Sequence, residues 1–155
     1  ERLNYPDNHI EVDNRLTWVL GRLNDVYGSE AYYVHLKRNK EDVVNSFLKR
    51  FGTGIINAYY RDIIGVKSMN GKVFEGNDYR KVVEDYYDTV DSNIKYFLKN
   101  KRHKVDVSIE DIEKDFDEFW SQINASGDFS SAISEFKNLY NSSSDKKSSA
   151  GYPFK

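Results

Sequence analysis

The chain has 155 residues, of which 39% are hydrophobic and 31% charged, a composition typical of a globular domain with a real core. The net charge of −2 excludes a generic nucleic-acid binder, which would carry a large basic excess, and the absence of Cys excludes disulfides and thiolate metal sites. No apolar run reaches the length of a membrane span, so we expect a soluble protein. The sequence leaves the compartment open, with the cytoplasm favoured.

The first part of the chain predicts a strand, a helix and a second strand. His9 to Val12 alternates polar and apolar residues, which predicts a short strand. Asp13 or Asn14 can cap the following helix, and Gly28 can end it. The apolar run from Ala31 to Leu36 predicts a strand that is buried on both faces, as in a parallel sheet. Because a helix separates the two strands, we expect them to pair in parallel.

The turn after the second strand carries the residues that best suit a binding site. Lys37 and Arg38 end the strand, Asn39 can cap a helix, and Asp42 suits the positive end of that helix. Open α/β sheets bind ligands at the carboxyl ends of their strands, where an Arg can grip a phosphate with two hydrogen bonds. Ser46 lies about two turns into the helix, so its hydroxyl could reach the same anion. The segment therefore predicts an anion site at Arg38 and Ser46.

The remaining chain predicts four further helices and one more strand. The predicted helices cover 55–64, 78–99, 110–123 and a last segment from 127, and the predicted strand covers 104–109. The strand alternates apolar and polar residues, so we expect one of its faces to be wetter than the other. Asn70-Gly71 is a turn signal, and a hairpin with Val66 and Val73 on its arms is an option there.

Two segments resemble elements of the sulfotransferases. Arg38 to Ser46 is similar to the family's 3′-phosphate-binding element, in which the Arg and the Ser hold the 3′-phosphate of the donor, 3′-phosphoadenosine 5′-phosphosulfate. Lys40 departs from the Pro that is usual at its position. Ile109-Glu110-Asp111-Ile112 resembles a Tyr-Glu-Asp-Leu-like sequence after a late strand of the family, with Ile109 in place of the aromatic residue.

This resemblance implies a helix-rich α/β fold with a three-layer, P-loop-like parallel sheet flanked by helices. Residues 1–141 would form one domain, followed by a flexible polar tail over 142–155. The Gly-, Ser- and Thr-rich loop that holds the 5′-phosphosulfate in the family does not occur here, and the chain begins with Glu1. We therefore interpret the chain as the body of such a domain without its first strand, loop and helix, and expect it to be inactive alone. The missing strand would expose a sheet edge that self-association could cover.

The resemblance also implies a reaction. A sulfuryl group would pass from 3′-phosphoadenosine 5′-phosphosulfate to a hydroxyl or amine of a small-molecule or carbohydrate acceptor, with no metal required. The family's base is a His or Glu near the end of an earlier strand, and His9 and Glu11 occupy a comparable segment. His35 lies within the Ala31 strand and is expected to be a core histidine. His9, His35 and His103 lack the close spacing of metal ligands.

Two other functions stay open. The chain contains 12 Tyr and 9 Phe, so the Tyr-rich helix over 78–99 would also suit a non-enzymatic module that binds a partner through an aromatic helical surface. A phosphate-transfer enzyme of the nucleotide-kinase type is a third option, but the sequence has no Walker loop.

Overall fold

The computed structural model describes residues 2–64 and 78–138. Within these ranges the chain is helix-rich and contains a parallel sheet of two strands, so the expected α/β character is confirmed. A wider three-layer sheet is not seen in the described residues and stays a prediction. The options for a hairpin at Val66 and Val73 and for a tail over 142–155 lie outside the described residues.

The chain divides into two compact units, Glu1–Glu110 and Asp111–Lys155. The expectation of one domain over 1–141 stays a prediction. The first unit contains a 3-10 helix at Asn14–Trp18, α1 at Leu20–Tyr27, β1 at Tyr33–Lys37, α2 at Lys40–Leu48, α3 at Gly54–Tyr59, a π-helical turn at Tyr60–Ile64, α4 at Asp78–Leu98 and β2 at Lys104–Ser108. The described part of the second unit contains α5 at Ile112–Gln122, α6 at Phe129–Ser134 and a 3-10 turn at Glu135–Lys137.

The two strands are β1 and β2, which pair in parallel with Val34 opposite Val105 and Lys37 opposite Ser108. The predicted strand at His9–Val12 is wrong, because this segment is irregular and no strand lies beside it among the described residues. An alternating pattern forms a strand only where a sheet edge supplies the backbone hydrogen bonds. β1 therefore has a different parallel partner from the one predicted.

The sequence predicted that β1 is buried on both faces, and this prediction is wrong. Val34 and Leu36 are exposed, whereas His35 between them is buried. In β2 the alternation follows the prediction, with Val105 and Val107 buried and the intervening residues exposed. The exposure of β1 is consistent with a sheet that has only one neighbour for this strand in the described part of the chain.

The main core of the first unit lies where α2, α3 and α4 meet. Its buried side chains are Val44, Ile56, Tyr59, Val82, Val83 and Tyr86. The predicted helix at 78–99 is confirmed as α4, and its apolar residues Val82, Val83 and Tyr86 are in this core. The predicted cap of α2 is confirmed as well, because Asn39 Oδ1 accepts hydrogen bonds from the N–H groups of Glu41 and Asp42. These contacts fix the start of α2 directly after β1.

The second unit is held by an aromatic cluster. The ring of Phe116 lies 5.8 Å from Trp120, 5.9 Å from Phe129 and 5.0 Å from Phe136, measured between centroids. Asp128 caps α6 by accepting a hydrogen bond from the N–H of Ser131 at 3.0 Å, which fits the helix start predicted at Gly127-Asp128. Aromatic pairs at these separations add to the stability that burial alone provides.

Candidate functional site

A cleft of about 500 Å³ lies at the carboxyl ends of β1 and β2. Residues of both strand ends, of the start of α2 and of one side of α4 form its wall: Lys37, Arg38, Asn39, Lys40, Tyr87, Asp88, Asp91, Lys95, Ser108 and Glu110. α/β proteins bind their ligands at this end of a parallel sheet, where the strands have their carboxyl ends. The sequence predicted a site at this end of β1.

The strand register explains why these residues meet. Lys37 lies opposite Ser108, and the backbone N–H of Ile109 donates to the carbonyl of Lys37 at 3.0 Å. The two segments that follow β1 and β2 therefore leave the sheet side by side. The hydroxyl of Tyr87 on α4 donates to the carbonyl of Arg38 at 3.4 Å, which links that helix to the turn before α2.

The cleft contains four cations, and three of them are paired. The Nζ–carboxylate distances are 2.6 Å for Lys37 and Asp106, 2.6 Å for Lys40 and Asp88, and 2.7 Å for Lys95 and Asp91. Arg38 is exposed, and its guanidinium makes no ion pair with any residue that the structure describes. A guanidinium offers a planar set of donors that fits a phosphate or carboxylate group. Arg38 is thus the cation of this cleft that is placed to receive an anion.

Glu110 already brings one negative charge to this place. Its Oε1 accepts from the backbone N–H of Asn39 at 2.7 Å, and its Oε2 accepts from the hydroxyl of Ser108 at 2.7 Å. The hydrogen bond from Asn39 lowers the pKa of Glu110, followed by the hydrogen bond from Ser108, with a smaller effect from the charge of Arg38. The surroundings of Glu110 therefore favour an anion at the start of α2.

His35 is buried in the first unit and lies between two carboxylates. Its Nδ1 is 3.3 Å from Oδ1 of Asp106, and its Nε2 is 3.8 Å from Oδ1 of Asp91. Burial lowers the pKa of His35, although the charge of Asp106 opposes this effect. The expectation of a buried histidine at this position is confirmed. Asp91 connects it to the cleft, because the other oxygen of Asp91 binds Lys95.

The four predicted site residues are not all in one place. Arg38 lines the cleft, but Ser46 does not, and the Ser46 hydroxyl accepts a hydrogen bond from Nη2 of Arg50 at 3.1 Å. His9 and Glu11 contact each other, with 3.0 Å between Nε2 and Oε2, and neither lines the cleft. Their roles in binding or proton transfer stay predictions.

Sequence reasoning did not select Glu110 as a site residue. It was recognised as part of a family-like segment after β2, but its distance of 71 residues from Asn39 hides their contact. The available signal was the alternation over 104–109, which predicts a strand. Placing that strand beside β1 in parallel would bring the residues after both strands together.

The described residues contain no group of three or more His, Cys, Asp or Glu side chains that could hold a metal ion. They also contain no helix that is long and apolar enough to cross a membrane. Comparison of the chain with models of known protein families, with curated proteins and with solved structures finds no match in any of the three. The cleft and its charges are therefore the features from which a function can be inferred.

Proposed function

We propose that this chain is the body of a sulfotransferase-like domain and that its cleft binds the 3′-phosphate of 3′-phosphoadenosine 5′-phosphosulfate. The observation that carries this proposal is the guanidinium of Arg38, which lies at the carboxyl ends of two parallel strands and has no ion-pair partner among the residues that the structure describes. The sequence around Arg38 supports the choice of ligand through its resemblance to the family's 3′-phosphate element. A three-layer, P-loop-like sheet completed by a preceding strand, loop and helix is part of the same proposal.

Arg38 would supply most of the binding energy for the phosphate. Charge-assisted, two-pronged contacts are about twice as strong as neutral hydrogen bonds. The backbone N–H of Asn39 is already taken by Glu110, and those of Glu41 and Asp42 are taken by the Asn39 side chain. The start of α2 therefore offers little to a second anion until Glu110 is displaced.

Ser46 has a conditional role in this proposal. Its hydroxyl faces Arg50 in the structure, so it would join the ligand only after that hydrogen bond is exchanged. Arg50 would then be a second cation within reach of the same ligand. An exchange of one hydrogen bond for another costs little if the new partner is charged.

The transfer step needs a base and an acceptor. His9 or Glu11 remains our proposal for the base, and the two side chains contact each other at 3.0 Å between Nε2 and Oε2. The acceptor would be a small molecule or a carbohydrate with a free hydroxyl or amine. Because the chain has no loop for the 5′-phosphosulfate, we expect binding of the nucleotide but no turnover by this chain alone.

Calorimetric titration with adenosine 3′,5′-bisphosphate tests the proposal. We expect Arg38→Ala to weaken binding about tenfold or more, which corresponds to about 1.4 kcal/mol. Arg102→Ala is the matched control, because it removes an exposed guanidinium just before β2, at the amino end of the strand. If Arg38→Ala binds as well as the wild type, the site assignment is wrong.

The alternative, a partner-binding module with an aromatic helical surface, finds less support on α4. Tyr86 is buried in the core, and the ring of Tyr79 packs 4.4 Å from that of Phe51. Tyr96 is the large exposed aromatic residue of this helix in the described part of the chain. The observation that favours an interaction role lies elsewhere, at the edge of β1.

A further inference from the structure

In the part of the chain that the structure describes, the outer edge of β1 has backbone N–H and C=O groups that no neighbouring strand binds. Tyr33 N–H donates to the carbonyl of His103, and Ile109 N–H donates to the carbonyl of Lys37, both at 3.0 Å. In a parallel ladder, alternate residues of a strand bond to the same neighbour. Tyr33, His35 and Lys37 therefore face β2, and the N–H and C=O groups of Val34 and Leu36 point away from it. No other strand lies beside this edge in residues 2–64 and 78–138.

The side chains at this edge are apolar as well as exposed. Val34 is 44% exposed and Leu36 is 56% exposed, although both are in a strand whose central residue, His35, is buried. A flat edge with apolar side chains and unpaired backbone groups readily accepts another strand. We refer to the outward backbone groups and side chains of Val34 and Leu36 as the β1 edge.

A second unpaired segment occurs in the same unit. His9–Val12, which we call the arm, is irregular, and its apolar residues Ile10 and Val12 are 74% and 86% exposed. The chain is fixed before the arm, where the hydroxyl of Tyr27 donates to the carbonyl of Leu3 at 2.7 Å. It is fixed after the arm by Asp13, which accepts from the N–H of Arg15 at 2.8 Å. The arm therefore connects two segments that have defined contacts, and the ring of His9 stacks on that of Tyr5 at 4.9 Å between centroids.

The arm and the β1 edge complement each other. Ile10 and Val12 alternate with polar residues in the same period as Val34 and Leu36, so paired strands would bring the four side chains to one face. Glu11 would then lie on the opposite face, which on β1 carries His35 and Lys37. On that face Lys37 carries the positive charge that favours a carboxylate on a neighbouring strand, and it also pairs with Asp106.

We propose that two copies of this chain associate by pairing the arm of each copy with the β1 edge of the other. Within one copy the two segments do not pair, and the anchors on both sides of the arm hold it in place. A reciprocal exchange gives a two-fold dimer with two equal interfaces and leaves neither segment uncovered. The occupant of the β1 edge is therefore a second copy.

Light scattering after size-exclusion chromatography, over a range of concentrations, measures the association. The wild type should form a concentration-dependent dimer. The arm variant Ile10→Ser/Val12→Ser and the edge variant Val34→Lys/Leu36→Lys should both be monomers. The control Val26→Ser/Tyr96→Ser removes two other exposed apolar residues of the first unit and should dimerise as the wild type does. Circular dichroism verifies that each variant is folded.

Mixing the two interface variants gives the sharpest result. The arm variant has an intact β1 edge and the edge variant has an intact arm, so a mixture restores one of the two interfaces. Fluorescence anisotropy of a labelled arm variant should therefore rise when the edge variant is added, but not when unlabelled arm variant is added. Val34→Pro, which removes an outward N–H without touching the ladder with β2, should also prevent dimerisation.

Three outcomes would overturn the proposal. A wild type that stays monomeric at its highest soluble concentration rules out the association. An arm variant that dimerises like the wild type, beside an edge variant that does not, would indicate pairing of β1 with β1. Two monomeric variants that do not associate when mixed would show that the arm and the β1 edge are not partners.

Discussion

At the scale of single residues, His35 shows how burial and charge compete in this protein. The ring is buried beside Asp106 of β2 and Asp91 of α4, while Lys37 and Lys95 hold those carboxylates from the other side. Burial is the larger effect and lowers the pKa of the imidazole below its usual value of 6.5. The neutral ring is therefore the form that the folded state favours.

This lowered pKa predicts a specific pH dependence of stability. An unfolded chain binds a proton at His35 more readily than the folded chain does, so the contribution of His35 is fully present above pH 6.5. It is lost as the pH falls through the folded pKa. We expect His35→Asn, which can still donate to Asp106, to reduce the pH dependence of the free energy of unfolding in this window. Urea titrations at several pH values measure it.

The exposed residue His103 provides the control, because His103→Asn removes a histidine ring that is not buried. If His35→Asn and the wild type lose stability equally on acidification below pH 6.5, the buried ring is not the cause.

The position of Glu110 beside Arg38 predicts how its charge affects nucleotide affinity. We expect Glu110→Gln to strengthen the binding of adenosine 3′,5′-bisphosphate, because it removes a negative charge beside Arg38 but keeps an acceptor for the N–H of Asn39. A charge pair at about 4 Å in water is worth about 1 kcal/mol, so the gain should be roughly fivefold. Glu30→Gln changes an exposed carboxylate just before β1 and is the matched control. Weaker binding by Glu110→Gln would mean that this carboxylate supports the ligand instead of competing with it.

At the scale of elements, the short helix α3 depends on its buried side chains, of which Ile56 is an example. Ile56 is almost fully buried against α2 and α4, whereas Ile63 in the following π-helical turn is exposed. We expect Ile56→Ala to reduce the free energy of unfolding by about 2–5 kcal/mol, because it removes buried methyl groups and leaves a cavity. Ile63→Ala should change it by about 0.5 kcal/mol or less.

Denaturant unfolding followed by circular dichroism compares these two variants directly. Equal losses of stability in Ile56→Ala and Ile63→Ala would contradict the placement of the core between α2, α3 and α4.

The elements with local signals were predictable from the sequence. The cap at Asn39 and the long apolar stripe of α4 depend on contacts within a few residues, and both were found. The arm failed because its alternating pattern says nothing about whether a neighbouring strand exists. The pairing of β1 with β2 joins residues 71 positions apart, such as Tyr33 and Lys104, and no local pattern specifies it.

Some residues of the candidate site were likewise predictable from local sequence, and others were not. Arg38 could be found because it ends a strand and precedes a helix cap, which are features of one short segment. Glu110, Asp91 and Lys95 come from distant parts of the chain and could be placed in the cleft only after the sheet and α4 were known. Ser46 lies on the predicted helix, but its helical position turned its hydroxyl toward Arg50.

At the scale of the whole molecule, the chain has a negative net charge, but its cleft contains a positive charge that is placed to attract an anion. The net charge is −2, yet the cleft contains Arg38 without a carboxylate in ion-pair contact among the described residues. Because Arg38 is exposed, salt should screen its attraction for an anion. The affinity for adenosine 3′,5′-bisphosphate should therefore fall as the ionic strength rises.

The most direct test of the central claim is a map of backbone amide chemical shifts during titration with adenosine 3′,5′-bisphosphate. The cleft predicts that the largest changes occur over Arg38–Asp42 and at Ser108–Glu110, which lie at the carboxyl ends of β1 and β2. Amides of α3, over Gly54–Tyr59, should stay unchanged and provide the internal reference. Changes that cluster away from the two strand ends, or no changes at saturating nucleotide, would contradict the account.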